Sequence, residues 1–173
     1  SATGDTASTT DPYLWLEDIH GARSMAWVKK ENAVTTQHFI DNTEFNHTRD
    51  RILEVLDSDA RIPDVHRMGD ELYNFWRDKT HPRGIWRRTT LAEYRKTSPQ
   101  WDGLLDIDAL NKAEGKRWVV KGAQCLKPAY TRCLISLSPD GGDAVNVREF
   151  DIPSKSFVKD GFDLPVSKTE ASW

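Results

Sequence analysis

Residues 11–18 read Asp-Pro-Tyr-Leu-Trp-Leu-Glu-Asp, which is the most informative segment of this chain. Pro12 fixes its own φ and disfavours helical geometry at Asp11, so the chain enters the segment extended or turning. Three large apolar side chains follow at positions 13–15. A segment this apolar near a terminus must pack on other residues, because a loose tail would expose Trp15 to water. We therefore expect an aromatic anchor at the start of the fold.

Length and composition exclude several classes of protein. The 173 residues suffice for one domain with a real core, or for pieces of two. Charged residues make up 29% and hydrophobic residues 38%, which is typical of a globular chain rather than a disordered or membrane one. A formal net charge of -3 argues against nucleic acid as a partner, and no apolar run has membrane-spanning length. We predict a soluble protein, with the cytoplasm and the periplasm both open.

The N-terminal third of the chain has helical patterning after a polar lead-in. Residues 1–10 are small and polar, which predicts a disordered segment that could follow a removed export signal or be an artificial extension. Gly21 breaks the chain, and Ser24 as an N-cap predicts a helix over residues 25–40. A second helix is predicted over residues 48–56.

From Val65 onward the hydrophobic period changes from helical to strand-like. Turn residues at 81–84 and 139–143 separate the alternating segments. The segments divide into two similar runs, which begin with short strands near Val65 and Val119. Each run predicts a four-stranded antiparallel meander, the unit of a β-propeller blade. The predicted strands after Val65 cover residues 71–77, 85–91, 104–108, 118–120, 132–138, 144–150 and 156–158. A helical turn could follow the third of these strands at 109–114, and a further strand starts at 170–173.

The polar candidates for catalysis or metal binding favour structural roles. The histidines have neither H-x-x-x-H nor H-E-x-x-H spacing, so we predict no metal site and no cofactor. Asp106 and Asp108 lie two apart on a predicted strand and would share a face, which could suit paired acid chemistry. Solvent-facing strand ends are the favoured interpretation of that pair. The five histidines are His20, His38, His47, His66 and His81.

Three further groups favour surface or turn positions. Residues 140–143 read Asp-Gly-Gly-Asp, which suggests a calcium loop but lacks the other ligands of one. We interpret this segment as a hairpin turn. The basic pairs Arg87-Arg88 and Lys116-Arg117 are interpreted as solvated strand edges.

The two cysteines flank a predicted turn. Residues 127–130 read Lys-Pro-Ala-Tyr, and pairing centred on Ala129 would place Cys125 opposite Cys133 on one face of the ladder. Opposed cysteines could form a disulfide, whereas a register shifted by one residue would send them to opposite faces. Buried, reduced thiols are the favoured interpretation, because no histidine is assigned as a nucleophile's partner and cytosolic thiols stay reduced.

Several phrases of the sequence resemble the prolyl oligopeptidase family of serine peptidases. The anchor matches the family's D-P-Y-x-W-L-E-D opening, and residues 26–32 resemble its A-W-V-x-x-x-N helix. Arg61-Ile62-Pro63 matches the crossing into the family's propeller. Residues 101–110, 122–126, 132–139, 147–151 and 157–162 resemble one branch of the family.

The resemblance implies a fold class and a domain organisation. In this family N-terminal helices of an α/β-hydrolase domain precede a seven-bladed propeller, and the rest of the hydrolase follows. The chain is then an α+β fragment, in which N-terminal helices precede antiparallel four-stranded meanders. Residues 11–60 would be the helical segment, and residues 61–173 about two blades and the start of a third.

The resemblance also implies a function that this chain would not perform alone. Family members hydrolyse short peptides with a Ser-His-Asp triad whose serine lies on a G-x-S-x-G elbow. None of the ten glycines here frames such a motif, so no catalytic residue can be assigned. Our hypothesis is a non-catalytic N-terminal part whose propeller gates peptide access to a triad absent from this chain. The expected partners are the remainder of its own peptidase, short peptide substrates and, for the isolated chain, other copies of itself. The alternative is a stand-alone, propeller-type interaction module.

Overall fold

A computed structural model describes residues 11–58 and 60–173, and the chain divides into two compact units, Ser1–Val55 and Leu56–Trp173. The prediction for residues 1–10 lies outside the described residues. The first unit is helical, and the second is built from antiparallel sheets. The predicted fold class, helices followed by antiparallel meanders, is confirmed.

The aromatic anchor packs on the first long helix. A short 3-10 turn, Leu14–Leu16, precedes helix α1, Ala22–Thr35, which continues as a π-helical turn over Thr36–Ile40. The ring of Trp15 meets that of Trp27 edge-on, with centroids 6.3 Å apart. The Arg23 guanidinium carbon lies 4.2 Å from the Trp15 ring centroid.

Both long helices begin earlier than predicted. Helix α1 follows Gly21, and Ser24 lies inside its first turn. The Ser24 hydroxyl donates to the carbonyl oxygen of Gly21 over 2.9 Å, so its assignment as the N-cap is wrong. Helix α2, Thr43–Leu56, begins after Asn42. The Asn42 side-chain oxygen accepts the Phe45 backbone N–H over 2.7 Å and thereby satisfies a donor of the first turn.

The second unit contains two antiparallel sheets. The first has the order β1-β2-β3-β4, and the second has the order β5-β6-β7-β8 with β9 also paired to β7. The first sheet consists of β1 His66–Met68, β2 Glu71–Trp76, β3 Ile85–Thr90 and β4 Asp102–Asp106, with the short helix α3 at Leu91–Tyr94. After helix α4, Ile107–Glu114, the second consists of β5 Trp118–Cys125, β6 Arg132–Pro139, β7 Val145–Asp151, β8 Ser156–Phe157 and β9 Asp163–Ser167.

One predicted strand ends earlier than expected, and another is absent. The segment 104–108 is strand only to Asp106, because the carboxylate of that residue accepts the backbone N–H groups of Asp108 and Ala109 over 2.9 and 3.0 Å. This N-cap starts α4 at Ile107. Residues 170–173 form no strand, and the last strand of the described chain is β9.

Aromatic and aliphatic side chains from both sheets form one core. Phe150 of β7 is fully buried, and its ring centroid lies 6.0 Å from that of Trp86 on β3. Trp86 in turn contacts Tyr73 of β2, with centroids 5.6 Å apart. Ile107 at the start of α4 is also fully buried in this cluster. The core therefore spans the two sheets rather than belonging to either one.

The cysteines are paired in the predicted register and form a disulfide. Cys125 lies directly opposite Cys133, and their Cα atoms are 3.9 Å apart. The symmetric pairing around Ala129 is thus confirmed, while the favoured interpretation of two reduced thiols is wrong. The correct register brings both sulfurs to one face, which is the condition for the bond. Closing a loop of this size contributes about 2.5 kcal/mol in the chain-entropy model.

Replacing Phe150 by alanine should lower the free energy of unfolding by about 3–5 kcal/mol, since the cavity would open where the two sheets meet. Urea denaturation followed by tryptophan fluorescence measures the loss. Phe162, 44% exposed, provides the matched control, and its replacement by alanine should cost less than about 1 kcal/mol. Equal losses for the two variants would contradict a core centred on Phe150.

Candidate functional site

A groove of about 580 Å³ lies between the two sheets of the second unit. The first strand of each sheet contributes to it, through His66 and Met68 of β1 and residues 120–123 of β5. Its buried apolar walls come from Tyr73, Trp86, Leu105 and Ile135.

The groove is suited to binding rather than to covalent chemistry. Its volume lies in the range of pockets that hold small ligands, and apolar walls with a few polar groups are typical of such pockets. The charged and polar side chains include Arg61, Asp64, His66, Asn74 and Lys121. Among the described residues that line it, none is Ser, Thr or Cys, the residues that most often act as nucleophiles. The groove could hold an apolar side chain of a peptide.

A histidine lies between two carboxylates beyond the end of β2. The Nδ1 atom of His81 is 3.1 Å from Asp78 Oδ1, and its Nε2 atom is 3.9 Å from Asp106 Oδ2. The turn predicted at 81–84 is present, and Gly84 has φ +101°, a conformation that glycine adopts without strain. A Cβ atom at Gly84 would also lie 2.4 Å from the Phe75 ring. The position thus requires glycine on two counts.

Hydrogen bonds keep Asp78 ionised. Burial opposes its charge, but the Thr80 hydroxyl and the His81 backbone N–H, 2.8 and 2.7 Å from Oδ1, outweigh that cost and lower the pKa of Asp78 to about 2. The Trp76 indole N–H donates to the other carboxylate oxygen over 3.0 Å. The carboxylate therefore organises the turn and is not poised as a general base.

The other histidines and the acidic pair are not assembled into a site. His20, His38, His47 and His66 are exposed, and the described residues contain no group of three or more His, Cys, Asp or Glu side chains that could hold a metal. Asp106 caps α4, while Asp108 accepts the Arg83 backbone N–H over 2.9 Å. Their predicted placement on one strand face is wrong, because Asp108 already lies in the helix.

The first basic pair is not a solvated edge. Arg88 pairs with Asp102 over 3.1 Å, and Arg87 is half-buried against Trp76 and Trp101. Alternation along β3 could place the two arginines on opposite faces, but it could not show that aromatic rings cover one of them. The second pair, Lys116-Arg117, is exposed as expected.

The segment 140–143 is a turn, as interpreted from the sequence. It follows β6, and Asp140 and Gly141 have positive φ angles of 55° and 86°. Arg117 pairs with Asp140 over 2.8 Å. Within the described part of the chain, no helix is both long enough and apolar enough to span a lipid bilayer.

Known proteins match this chain over nearly its whole length. The family model described as the prolyl oligopeptidase N-terminal beta-propeller domain matches residues 2–173. An uncharacterized peptidase, y4nA, of Sinorhizobium fredii is 44% identical over 166 residues, which cover 95% of this chain and 23% of that protein. Another uncharacterized peptidase, RP174 of Rickettsia prowazekii, is 35% identical over 86% of this chain and 21% of its own length. The chain thus spans less than a quarter of the curated relatives it matches.

Solved structures resemble it over the same region. A post-proline cleaving enzyme from Rickettsia typhi superposes with a TM-score of 0.76 at 34% identity, covering 86% of this chain and 22% of that one. Oligopeptidase B from Leishmania major has a TM-score of 0.60 at 18% identity, over 84% of this chain and 20% of its own. The second likeness bears on the fold alone.

Replacing Asp78 by asparagine should lower the free energy of unfolding at pH 7 by about 1–2 kcal/mol. Because folding depresses the pKa of Asp78, its contribution is present above about pH 4 and is lost as the pH falls towards 2. Urea denaturation at a series of pH values should show this acid-dependent loss in the parent chain and a weaker one in the variant.

Asp70→Asn is the control for that series, since the Asp70 side chain is fully exposed. It should change stability by less than about 0.5 kcal/mol. Parallel acid dependence of the parent chain and the Asp78 variant would contradict the role given to this carboxylate.

Proposed function

The chain belongs to the prolyl oligopeptidase family, and on that premise we propose that it forms the non-catalytic, N-terminal part of a serine-type oligopeptidase. The observation that carries the proposal is the family match over residues 2–173, combined with coverage of only 21–23% of the curated relatives. In the intact protein, a Ser-His-Asp triad outside these residues would hydrolyse short peptides.

The role of these residues would be to admit peptides and to exclude folded chains. The groove between the sheets supports this role, because the first strands of both sheets line it and its buried walls are apolar. Such walls can accommodate apolar peptide side chains without supplying a nucleophile. Peptide substrates are small enough to pass along such a surface, whereas a folded domain is not.

The remainder of the same peptidase would be the main partner. Large apolar side chains of the first unit are exposed, and a soluble domain rarely leaves so many uncovered. We propose that the rest of the hydrolase domain covers them. They include Tyr13 at 64%, Trp27 at 45%, Phe39 at 62% and Leu53 at 52% exposure.

The disulfide favours one of the two compartments left open by the sequence. Disulfides persist in oxidising compartments and are rare in the bacterial or eukaryotic cytosol. The Cys125–Cys133 bond therefore supports the periplasm, or another oxidising compartment, over the cytoplasm.

The open reading frame that encodes this chain tests the proposal directly. A downstream G-x-S-x-G motif followed by the triad's Asp and His would support a peptidase. A stop codon directly after Trp173 would instead favour the stand-alone interaction module.

We expect the purified chain to be inactive, because its 173 residues contain no G-x-S-x-G motif. It should not hydrolyse prolyl peptide substrates and should not react with a fluorophosphonate probe. The chain joined to the rest of its peptidase is the positive control, and it should be labelled at one serine. Stoichiometric labelling of the chain alone would overturn the assignment.

We also expect self-association of the isolated chain. Strands β1, β4 and β5 each pair on one side only within the described residues, so their outer backbone groups can accept another strand. Multi-angle light scattering over a concentration series should show dimers or larger species that dissociate on dilution. A monodisperse monomer at the highest concentration would count against it.

A further inference from the structure

A second recess, of about 700 Å³, lies on the first sheet and shares Arg61, Ile62 and Trp76 with the groove. Residues 60–63, the end of β2, Arg87 in the middle of β3 and several residues between Tyr94 and Trp101 surround it. We call it the arginine recess and define it by the side chains that form its cationic wall. These are Arg61, Trp76, Arg87 and Trp101.

Aromatic rings hold the two guanidinium groups of the arginine recess in place. The Arg87 guanidinium carbon lies 4.5 Å from the Trp76 ring centroid and 4.2 Å from that of Trp101. The guanidinium carbon of Arg61 lies 4.6 Å from the Trp76 centroid. Arg87 Nε donates to Asn74 Oδ1 over 2.9 Å, which fixes the orientation of the guanidinium plane. A ligand would therefore meet arginines whose conformational freedom is already restricted.

Within residues 60–173, the positive charge of Arg61 and Arg87 lacks a full counterpart. Among the described residues, neither Arg61 nor Arg87 has a carboxylate oxygen within 4.0 Å. The one carboxylate in the lining, Asp78, already accepts from Trp76, Thr80 and His81. Burial lowers the pKa of Arg87 to about 10, against a smaller, opposing attraction from Asp78, so this guanidinium remains charged at pH 7 while partly removed from water.

The hydrogen-bonding capacity of Arg87 is also incompletely used. Its terminal nitrogens make no hydrogen bond to the part of the chain that the structure describes, whereas Arg61 donates to the carbonyl oxygens of Ser58 and Arg77. A planar fork with two free nitrogens matches the two oxygens of a carboxylate.

We propose that the arginine recess binds the carboxylate of a short peptide. Arg87 pairs with the carboxylate through its terminal nitrogens, and Arg61 adds charge beside it. Ile62, which is 87% exposed, and the ring of Tyr94 lie in the same lining and offer apolar surface to the adjoining peptide side chain. This apolar surface distinguishes a peptide carboxylate from a small inorganic anion. The site is centred on Arg87, which does not line the groove, and it stands whether or not the proposed function is correct.

Indole N–H signals give a local readout of binding. The chain contains seven tryptophans, of which Trp76 and Trp101 flank Arg87. The ¹⁵N-labelled full chain is titrated with N-acetyl-dialanine, with the same dipeptide as its C-terminal amide, with N-acetyl-glutamate amide, and with inorganic phosphate. The first and third probes distinguish a terminal carboxylate from a side-chain carboxylate.

Variants identify the arginines that carry the interaction. Arg87→Met and Arg61→Met should each weaken carboxylate binding by about tenfold or more, since each removes a charge-assisted contact. Arg61→Met also serves if Arg87→Met fails to fold, because Arg61 lies outside the strands. Arg117→Met is the matched control, because Arg117 is exposed and lies outside the lining of the recess. Its substitution removes the same net charge. It should change the affinity by less than about twofold.

Saturable shifts of the Trp76 and Trp101 signals with either carboxylate probe, and none with the amide, would support the site. The probe that binds more tightly then shows whether the recess prefers a terminal or a side-chain carboxylate. No saturable shift up to about 10 mM of either carboxylate would overturn it. Equal shifts with the amide, equal loss in Arg117→Met, or phosphate binding as tightly as the peptides would also overturn it.

Discussion

The contact of Trp86 with Phe150 is the interaction on which the second unit depends. The two rings come from different sheets, and their centroids lie 6.0 Å apart. Each sheet alone would expose an apolar face to water, which is unfavourable. Burying these faces against each other gives the two sheets a shared core, with Ile107 and Leu137 fully buried beside Phe150. The same packing places β1 and β5 along the groove, whereas Arg87 of the arginine recess lies on the face of the first sheet opposite to Trp86.

Much of this fold follows from alternation and turn chemistry. The strands on either side of residues 81–84 and 139–143 were predictable, because apolar side chains alternate there and turn residues lie between them. The pairing of Cys125 with Cys133 followed from a turn placed symmetrically between them. Local patterns failed where one side chain redirects the backbone. Asp106 ends β4 and starts α4 through two hydrogen bonds, and hydrophobic periodicity carries no information about such a cap.

The groups around the two recesses were harder to predict. The adjacency of Arg87 and Arg88 in sequence suggests two similar solvated side chains, yet one pairs with Asp102 and the other stacks on indole rings. Trp101 lies just before β4 and contacts Arg87 of β3. No rule of sequence spacing predicts a contact between residues 14 positions apart. Asp78 differs, since its low pKa depends on Thr80 and His81, which lie within three positions of it in the same turn. The surroundings of Arg87 and Arg88 are products of tertiary packing and could not be found from the sequence alone.

Formation of the disulfide between β5 and β6 also depends on the register in which the two strands pair. In a ladder slipped by one residue, the two sulfurs would point to opposite sides of the sheet and could not react. Among paired hairpins, only those with the native alignment can therefore close the bond, and once closed it holds that alignment covalently. Oxidation would thus sort correctly aligned hairpins from misaligned ones, which links assembly of the second sheet to the thiol chemistry of the compartment in which the chain folds.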